Sequence, residues 1–347
     1  MAAISQWSHP DVDNATRHNR NVFATMADLS TIDQIKTAEA AADDGSQASR
    51  GPLHPLAVWK RLRRDKVAVF GGFLVIFFVL MAALAPVLAP YPPKDRDASR
   101  RVEPPYWLDA PRYGKTVAAD APRHVLGLDT SGSDILSRVI FGARTSLMVG
   151  VAVVTLASLI GITLGALAGY IGGGVDATIM RFVDMLLAFP FLILAIAVIS
   201  IFPQTTVFHI ALVLGLTSWP GICRLMRAQV MATRELDFVN AARALGAGHG
   251  AIVIRHVLPN CIAPVIIWYT AGIAGAIMSE ASLSFLGFGD PESLSWGSMI
   301  DNGLRKANFP TEWWPVAFPA AALAMLVLAF NLLGDGLQDA INPKLKK

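Results

Sequence analysis

Apolar residues along this chain gather in long unbroken runs rather than in short alternating ones. Six runs are long enough to be read as membrane-crossing helices: 67–88, 146–170, 177–202, 206–222, 262–279 and 315–333. A helix needs about 20 predominantly apolar residues to cross the hydrocarbon of a bilayer. The fourth run is the weakest, interrupted by His209 and closed by Trp219-Pro220-Gly221. No run carries a strong amphipathic stripe, which suits helices that touch lipid on one side and one another on the other. The pattern predicts an all-α integral membrane protein with six transmembrane helices.

Composition narrows this picture. Charged residues make up 16% of the 347 and hydrophobic residues 54%, with a mean hydropathy of +0.48, whereas a soluble domain carries about 25% charged residues. The net charge of +3 is no nucleic-acid signature. Its distribution sets an orientation, because short cytoplasmic loops collect Lys and Arg. Lys60, Arg61, Arg63, Arg64 and Lys66 precede the first run; Arg224, Arg227, Arg234, Arg243 and Arg255 fall between the fourth and fifth; Lys344, Lys346 and Lys347 close the chain. With six spans all three clusters share one side, so both termini are expected in the cytoplasm.

The resulting map has a polar cytoplasmic tail over 1–58, expected to be disordered apart from a possible short helix over 25–42. A basic flank and first span follow over 59–90, and an extracytoplasmic loop with an interfacial helix over 91–145. A five-helix core spans 146–335 and includes a cytoplasmic loop, 224–260; residues 336–347 form a cytoplasmic C-terminus.

Candidate chemistry is sparse. Cys223 and Cys261 have no metal-ligand spacing, and His249 and His256 lack a third ligand. Neither a phosphate-binding GxxxxGK[ST] loop nor a pair of catalytic groups within the spans is present. No catalytic residue, metal site or resident cofactor is therefore assigned. Asp129-Thr130-Ser131-Gly132-Ser133-Asp134 lacks the acid at loop position twelve of a calcium-binding EF-hand. It reads better as a turn in which Ser133 caps a helix and Asp134 pairs with Arg138; that helix, with Ile135, Leu136, Val139 and Ile140, is expected at the outer interface leading into the second span.

Gly161, Gly165 and Gly169 clear one face of the second span so that another backbone can approach. Packing within the bundle is preferred, and a subunit contact is the alternative. Glu280 and Asn331 are the polar residues best placed for a pore or gate, with structural hydrogen bonds as the alternative for each. In the loop, Asp237 is a candidate N-cap, Phe238, Ala241, Ala242 and Leu245 share one helix face, and Gly246 supplies a left-handed stop. A second short helix over 251–257 is ended by Pro259. This helix, bend and helix could dock in a partner's groove or lie on the membrane surface.

These residues carry a resemblance. Asn240-Ala241-Ala242-Arg243-Ala244-Leu245-Gly246 followed by His256-Val257-Leu258-Pro259 resembles the Glu-Ala-Ala, Gly and Leu-Pro loop of binding-protein-dependent ABC importers, with Asn240 at the glutamate position. The motif around His124, Leu126, Gly127, Asp129, Gly132 and Asp134 extends it, with Ser133 where relatives usually carry Arg. So do Trp219-Pro220-Gly221, Glu280-Ala281-x-Leu283-Ser284-Phe285-Leu286-Gly287, Ser295-Trp296-Gly297 and Asn331-Leu332-Leu333-Gly334-Asp335-Gly336. Together they cover about 55–345 and are similar to C-type permeases of the dipeptide/oligopeptide/nickel branch.

The resemblance implies a type I importer fold in a bacterial inner membrane. It also implies a heterodimer with a second permease, an extracytoplasmic solute-binding protein, and two cytoplasmic ATP-binding subunits that hold the ATP and Mg. Asp237, Phe238, Asn240, Ala241, Ala242, Arg243, Leu245, Gly246, His256 and Pro259 would then couple this chain to an ATPase. The coupling helix at Asp237 would be strengthened by a Glu at position 240, which could complete a capping box. A secondary transporter or channel is the alternative, although inverted repeats and broken helices are not apparent.

Overall fold

Asp65 opens the first membrane helix by accepting from the amides of Val67 and Ala68 at 2.9 and 3.3 Å, donors that a helix start otherwise leaves free. The structure is a computed structural model and describes residues 55–115 and 122–341. The tail before residue 55, with the helix expected over 25–42, and the lysines after residue 341 lie outside the described residues. The helices are α1 (Pro55–Leu62), α2 (Lys66–Ala83), α3 (Ile135–Ile171), α4 (Gly173–Leu187), α5 (Phe191–Ile199), α6 (Val207–Arg234), α7 (Asp237–Ala244), α8 (Ile262–Phe285), α9 (Trp296–Lys306) and α10 (Trp314–Ile341). Among the described residues there is no β-strand beyond an isolated bridge between Leu128 and Asp134.

Five helices are long and apolar enough to cross a membrane, and α4 with α5 makes a sixth if the pair counts as one span. The third run is therefore broken, with an 87° bend between its halves. Pro190 provides the reason: it lacks an amide and disfavours helical backbone at Phe189 before it.

The fourth run is longer than its apolar stretch. Pro220 sits inside α6, which continues to Arg234; one lost backbone bond is tolerable where a neighbouring helix braces the stretch. Arg224, Arg227 and Arg234, expected in a loop, are thus helical. His209 does not interrupt the span but lies in its first turn, where it accepts from the Thr206 amide at 3.2 Å.

The brace is α3. At Gly165 an added Cβ would lie 2.8 Å from Met226 Cβ, and at Gly169 2.7 Å from the Arg227 carbonyl oxygen. Gly161 meets Ile222 and the Trp219 carbonyl in the same way. The three glycines let α3 and α6 pack backbone to backbone, so their cleared face is turned into the bundle. Gly71 of α2 similarly admits Leu332 and Leu333 of α10.

Outside this bundle, residues 89–115, 122–134 and 286–313 pack over one end. Asp134, not Ser133, caps α3, accepting from the Ser137 amide at 2.7 Å and sharing a 2.9 Å hydrogen bond with His124 Nδ1. The Ser133 amide is already donated to Asp129, which also takes the Ser131 amide. Arg138 consequently pairs with Asp129 at 3.0 Å rather than with Asp134. The helix expected to lead into the second span is continuous with it: Ile135, Val139 and Ile140 are buried in the first turns of α3 itself. Trp296 of α9 fixes this end, donating from Nε1 to the Val139 carbonyl at 3.1 Å and meeting Phe78 edge to face.

Candidate functional site

The segment between α6 and α8 brings most of the candidate residues together. Its helix α7 begins one residue earlier than the capping pattern suggests. Leu236 is the N-cap without a side-chain bond, and Asp237 is the first helical residue. That shift places Asn240 at the fourth helical position, beyond the third position where a capping box closes. Asn240 instead donates from Nδ2 to the Glu235 carbonyl at 3.3 Å and accepts from Arg243 at 3.1 Å. Asp237 still places a negative charge in the first turn, where the helix dipole favours it.

The other end of α7 is closed tightly. Gly246 has φ +83°, the Ala247 amide donates to the Ala242 carbonyl at 3.1 Å, and the Gly246 amide donates to Arg243 at 3.0 Å. This paired bonding is a Schellman stop, and it needs the left-handed residue that glycine supplies.

One face of α7 is anchored and the other is bare. Val239 is fully buried in a cluster with Ala166, Met226, Val230, Ile252, Val257 and Cys261. Phe238 is 41% exposed and Leu245 88%; Ala241 and Arg243 are exposed and Ala242 is half-buried. The small and apolar face read from sequence thus points away from the chain. Val239 was not singled out by sequence reasoning, although it is the apolar residue of this helix that falls off the marked face.

After Gly246 the chain does not form a short helix stopped by Pro259. One α-turn, His249–Ile252, passes through a π-turn, Val253–Val257, and a 3₁₀ turn, Leu258–Cys261, directly into α8. Pro259 lies early in the 3₁₀ turn, where its missing amide does least harm. The wider π spacing lets Ile252 and Val257, five residues apart, both point inward. His256 is half-buried and its carbonyl accepts from Asn260 at 2.7 Å; His256 and Pro259 lie on the returning turns of the loop and not on the exposed face of α7.

Three arginines of α6 tie this segment to the bundle. Arg227 grips Asp176 of α4 with two hydrogen bonds, and Arg224 pairs with Asp184. Arg234 donates to the Gly169 and Tyr170 carbonyls at 2.7 and 3.3 Å, covering the end of α3. A cation there complements the negative end of a helix. These bonds join α6, the helix that leads into α7, to α3 and α4. Sequence reasoning missed Asp176 and Asp184; their spacing of eight residues, two helical turns, was the available signal.

Glu280 and Asn331 do not join this site or each other. Glu280 is 2% exposed and accepts from Ser284 and Ser295 hydroxyls, each at 2.7 Å, which ties α8 to the start of α9. This is the structural hydrogen bond, not a side chain on an open face. Asn331 is exposed on α10. Among the described residues no group of His, Cys, Asp and Glu is arranged to hold a metal ion.

The geometry agrees with comparisons to known proteins. Residues 161–347 match the family described as binding-protein-dependent transport system inner membrane component, and residues 57–105 match the N-terminal transmembrane domain of oligopeptide transport permease C. The chain is similar to the dipeptide transport system permease protein DppC of Escherichia coli strain K12, with 41% identity over 298 residues, 85% of this chain and 95% of that one. It is also similar to the glutathione transport system permease protein GsiD of Pectobacterium atrosepticum, with 36% identity over 289 residues, 83% of this chain and 90% of that one. In fold it is similar to a chain of the inward-facing MetNI methionine ABC transporter, with a TM-score of 0.50 at 18% identity, covering 60% of this chain and 98% of that one. With a family match over more than half its length and relatives that align nearly end to end, the chain belongs to the binding-protein-dependent transport system inner membrane component family.

Proposed function

We propose that this chain forms half of the translocation pathway of an ATP-driven importer for dipeptides, short oligopeptides or related small conjugates. A second, homologous permease supplies the other half, and two cytoplasmic ATPases and an extracytoplasmic binding protein complete the assembly. The chain itself is non-catalytic; ATP and Mg reside in the ATPases. The N- and C-termini and α7 lie on the cytoplasmic side of a bacterial inner membrane, in keeping with the basic clusters.

The observation that carries this reading is the exposed apolar face of α7. Phe238 and Leu245 stand in water on a helix whose opposite face is fixed by Val239. Exposed apolar groups held on a rigid support suit a partner's groove. Val239 packs on Met226 and Val230 of α6, whose Arg227 and Arg234 bond α4 and α3, a route by which ATPase motion would pass into the bundle. Peptides are the favoured solute class because relatives named for glutathione and dipeptide transport align with 83% and 85% of this chain.

The 87° break between α4 and α5 is the feature that favours a secondary carrier instead. Such carriers pair two interrupted spans in related halves, and a single bent pair is found among the described residues. A cysteine at Ala241, cross-linked in membranes that hold the whole assembly, tests the docking. Capture of the ATP-binding subunit is the expected result, and capture of lipid alone would overturn it.

A further inference from the structure

An apolar groove of about 800 Å³ opens between the inner half of α3 and the return strand of the coupling loop. Its walls include Ile162, Ala166 and Leu167 on one side and Val253, Ile254 and Leu258 on the other. Leu167 and Ile254 are 44% and 68% exposed, so the groove merges with open apolar surface. At its rim the Tyr170 hydroxyl and His249 Nδ1 share a hydrogen bond of 3.0 Å, which places a polar edge beside an apolar trough.

The surrounding charge leans basic. Of the five arginines in the segment 224–260, Arg224, Arg227 and Arg234 are met by Asp184, Asp176 and Glu235, which leaves Arg243 and Arg255 against Asp237. Arg255, next to Ile254 in the π-turn, is exposed and has no ion pair among the described residues. We propose that this groove binds an anionic phospholipid of the cytoplasmic leaflet. One acyl chain lies between α3 and the 249–258 strand, and the headgroup sits within reach of Arg255. The proposal rests on the cytoplasmic placement of α7 given above.

The physical case combines two terms. An apolar trough at a membrane surface is filled by hydrocarbon rather than water, since burial of apolar surface is favourable. An unneutralised arginine at the inner interface adds attraction for anionic headgroups and discriminates against zwitterionic ones. The site also has a consequence, because one wall of the groove is the strand that supports α7. A bound lipid would hold the His249–Ile252 turn and the π-turn against α3, and so stiffen the base of the ATPase-docking helix.

The test uses the full chain, purified in detergent, with phosphatidylglycerol or phosphatidylcholine added and bound lipid counted by native mass spectrometry. Phosphatidylglycerol is expected to be retained in preference. Arg255→Gln should weaken that retention about fivefold and leave phosphatidylcholine unchanged, while Ile254→Trp, which fills the trough from an exposed position, should lower binding of both. Equal retention of the two lipids, or no change with either variant, overturns the site. A cysteine at Leu167 that cross-links to the second permease in the assembled complex would also overturn it, since the groove would then be a protein interface. Labelling of Arg255→Cys from outside intact cells by an impermeant thiol reagent would refute the placement itself, and so separates failure of the orientation from failure of the lipid site.

Discussion

At Gly246 the backbone turns through φ +83°, a region that a β-branched side chain enters only under strain of about 1–3 kcal/mol. Nothing lies within 4 Å of a Cβ placed there, so the strain is conformational and not steric. Gly246→Val should open the Schellman stop, misdirect α7 and reduce ATPase co-purification, while insertion of the chain into the membrane stays normal. Unchanged co-purification would refute the docking role. This glycine was legible in the sequence because left-handed stops demand it. Asn240 was not, since one residue of shift in the cap moved it out of the capping-box position. Asn240→Glu should consequently change α7 stability by no more than about 0.5 kcal/mol, through an i,i+3 pair with Arg243; a large gain in ATPase association would restore the capping-box account. Glu280 was read from its place in a span as a pore or gate candidate or a structural hydrogen bond, and its two serine donors could not be seen without the fold. Glu280→Ala should leave those hydroxyls unpaired and cost about 1–3 kcal/mol, measurable as a fall in the thermal midpoint of the detergent-solubilised protein.

At the scale of elements, apolar runs located every membrane helix but misjudged where three of them change direction or end. Composition marks where lipid-compatible sequence stops, and α6 continues past that point because α3 packs against it along Gly161, Gly165 and Gly169. That tertiary support is invisible in a hydropathy pattern. The third run hid an 87° break, although Pro190 was present to announce it. The return strand likewise passes through a π-turn at Val253–Val257 where a proline stop was expected. Two measurements address these elements. Gly165→Leu should force α3 and α6 apart, since even a Cβ meets Met226 Cβ at 2.8 Å; overpacking of this kind costs about 1–3 kcal/mol or more, and unchanged folding would contradict the seam. A double-mutant cycle on Asp176 and Arg227 should return a coupling near 1 kcal/mol, and additivity would show that the pair does not tie α4 to α6.

The described residues from Leu56 on form a bundle with a basic loop at one end, proposed to face an ATPase, and tryptophan-anchored loops at the other. Both the fold class and the dependence on outside energy followed from the sequence: long apolar runs defined the first, and a coupling-type loop without a phosphate-binding loop defined the second. The solute did not follow, because among the described residues no polar pocket marks a ligand's place within the spans. The central claim is that transport through this chain is driven by ATPases docked on α7. Its most direct test is uptake of a labelled dipeptide into proteoliposomes that contain the second permease, the two ATPases and the binding protein. Uptake is predicted to require both enclosed-side ATP and the binding protein on the opposite face, and to fail with Gly246→Val. Accumulation driven by a proton or sodium gradient without ATP would contradict it.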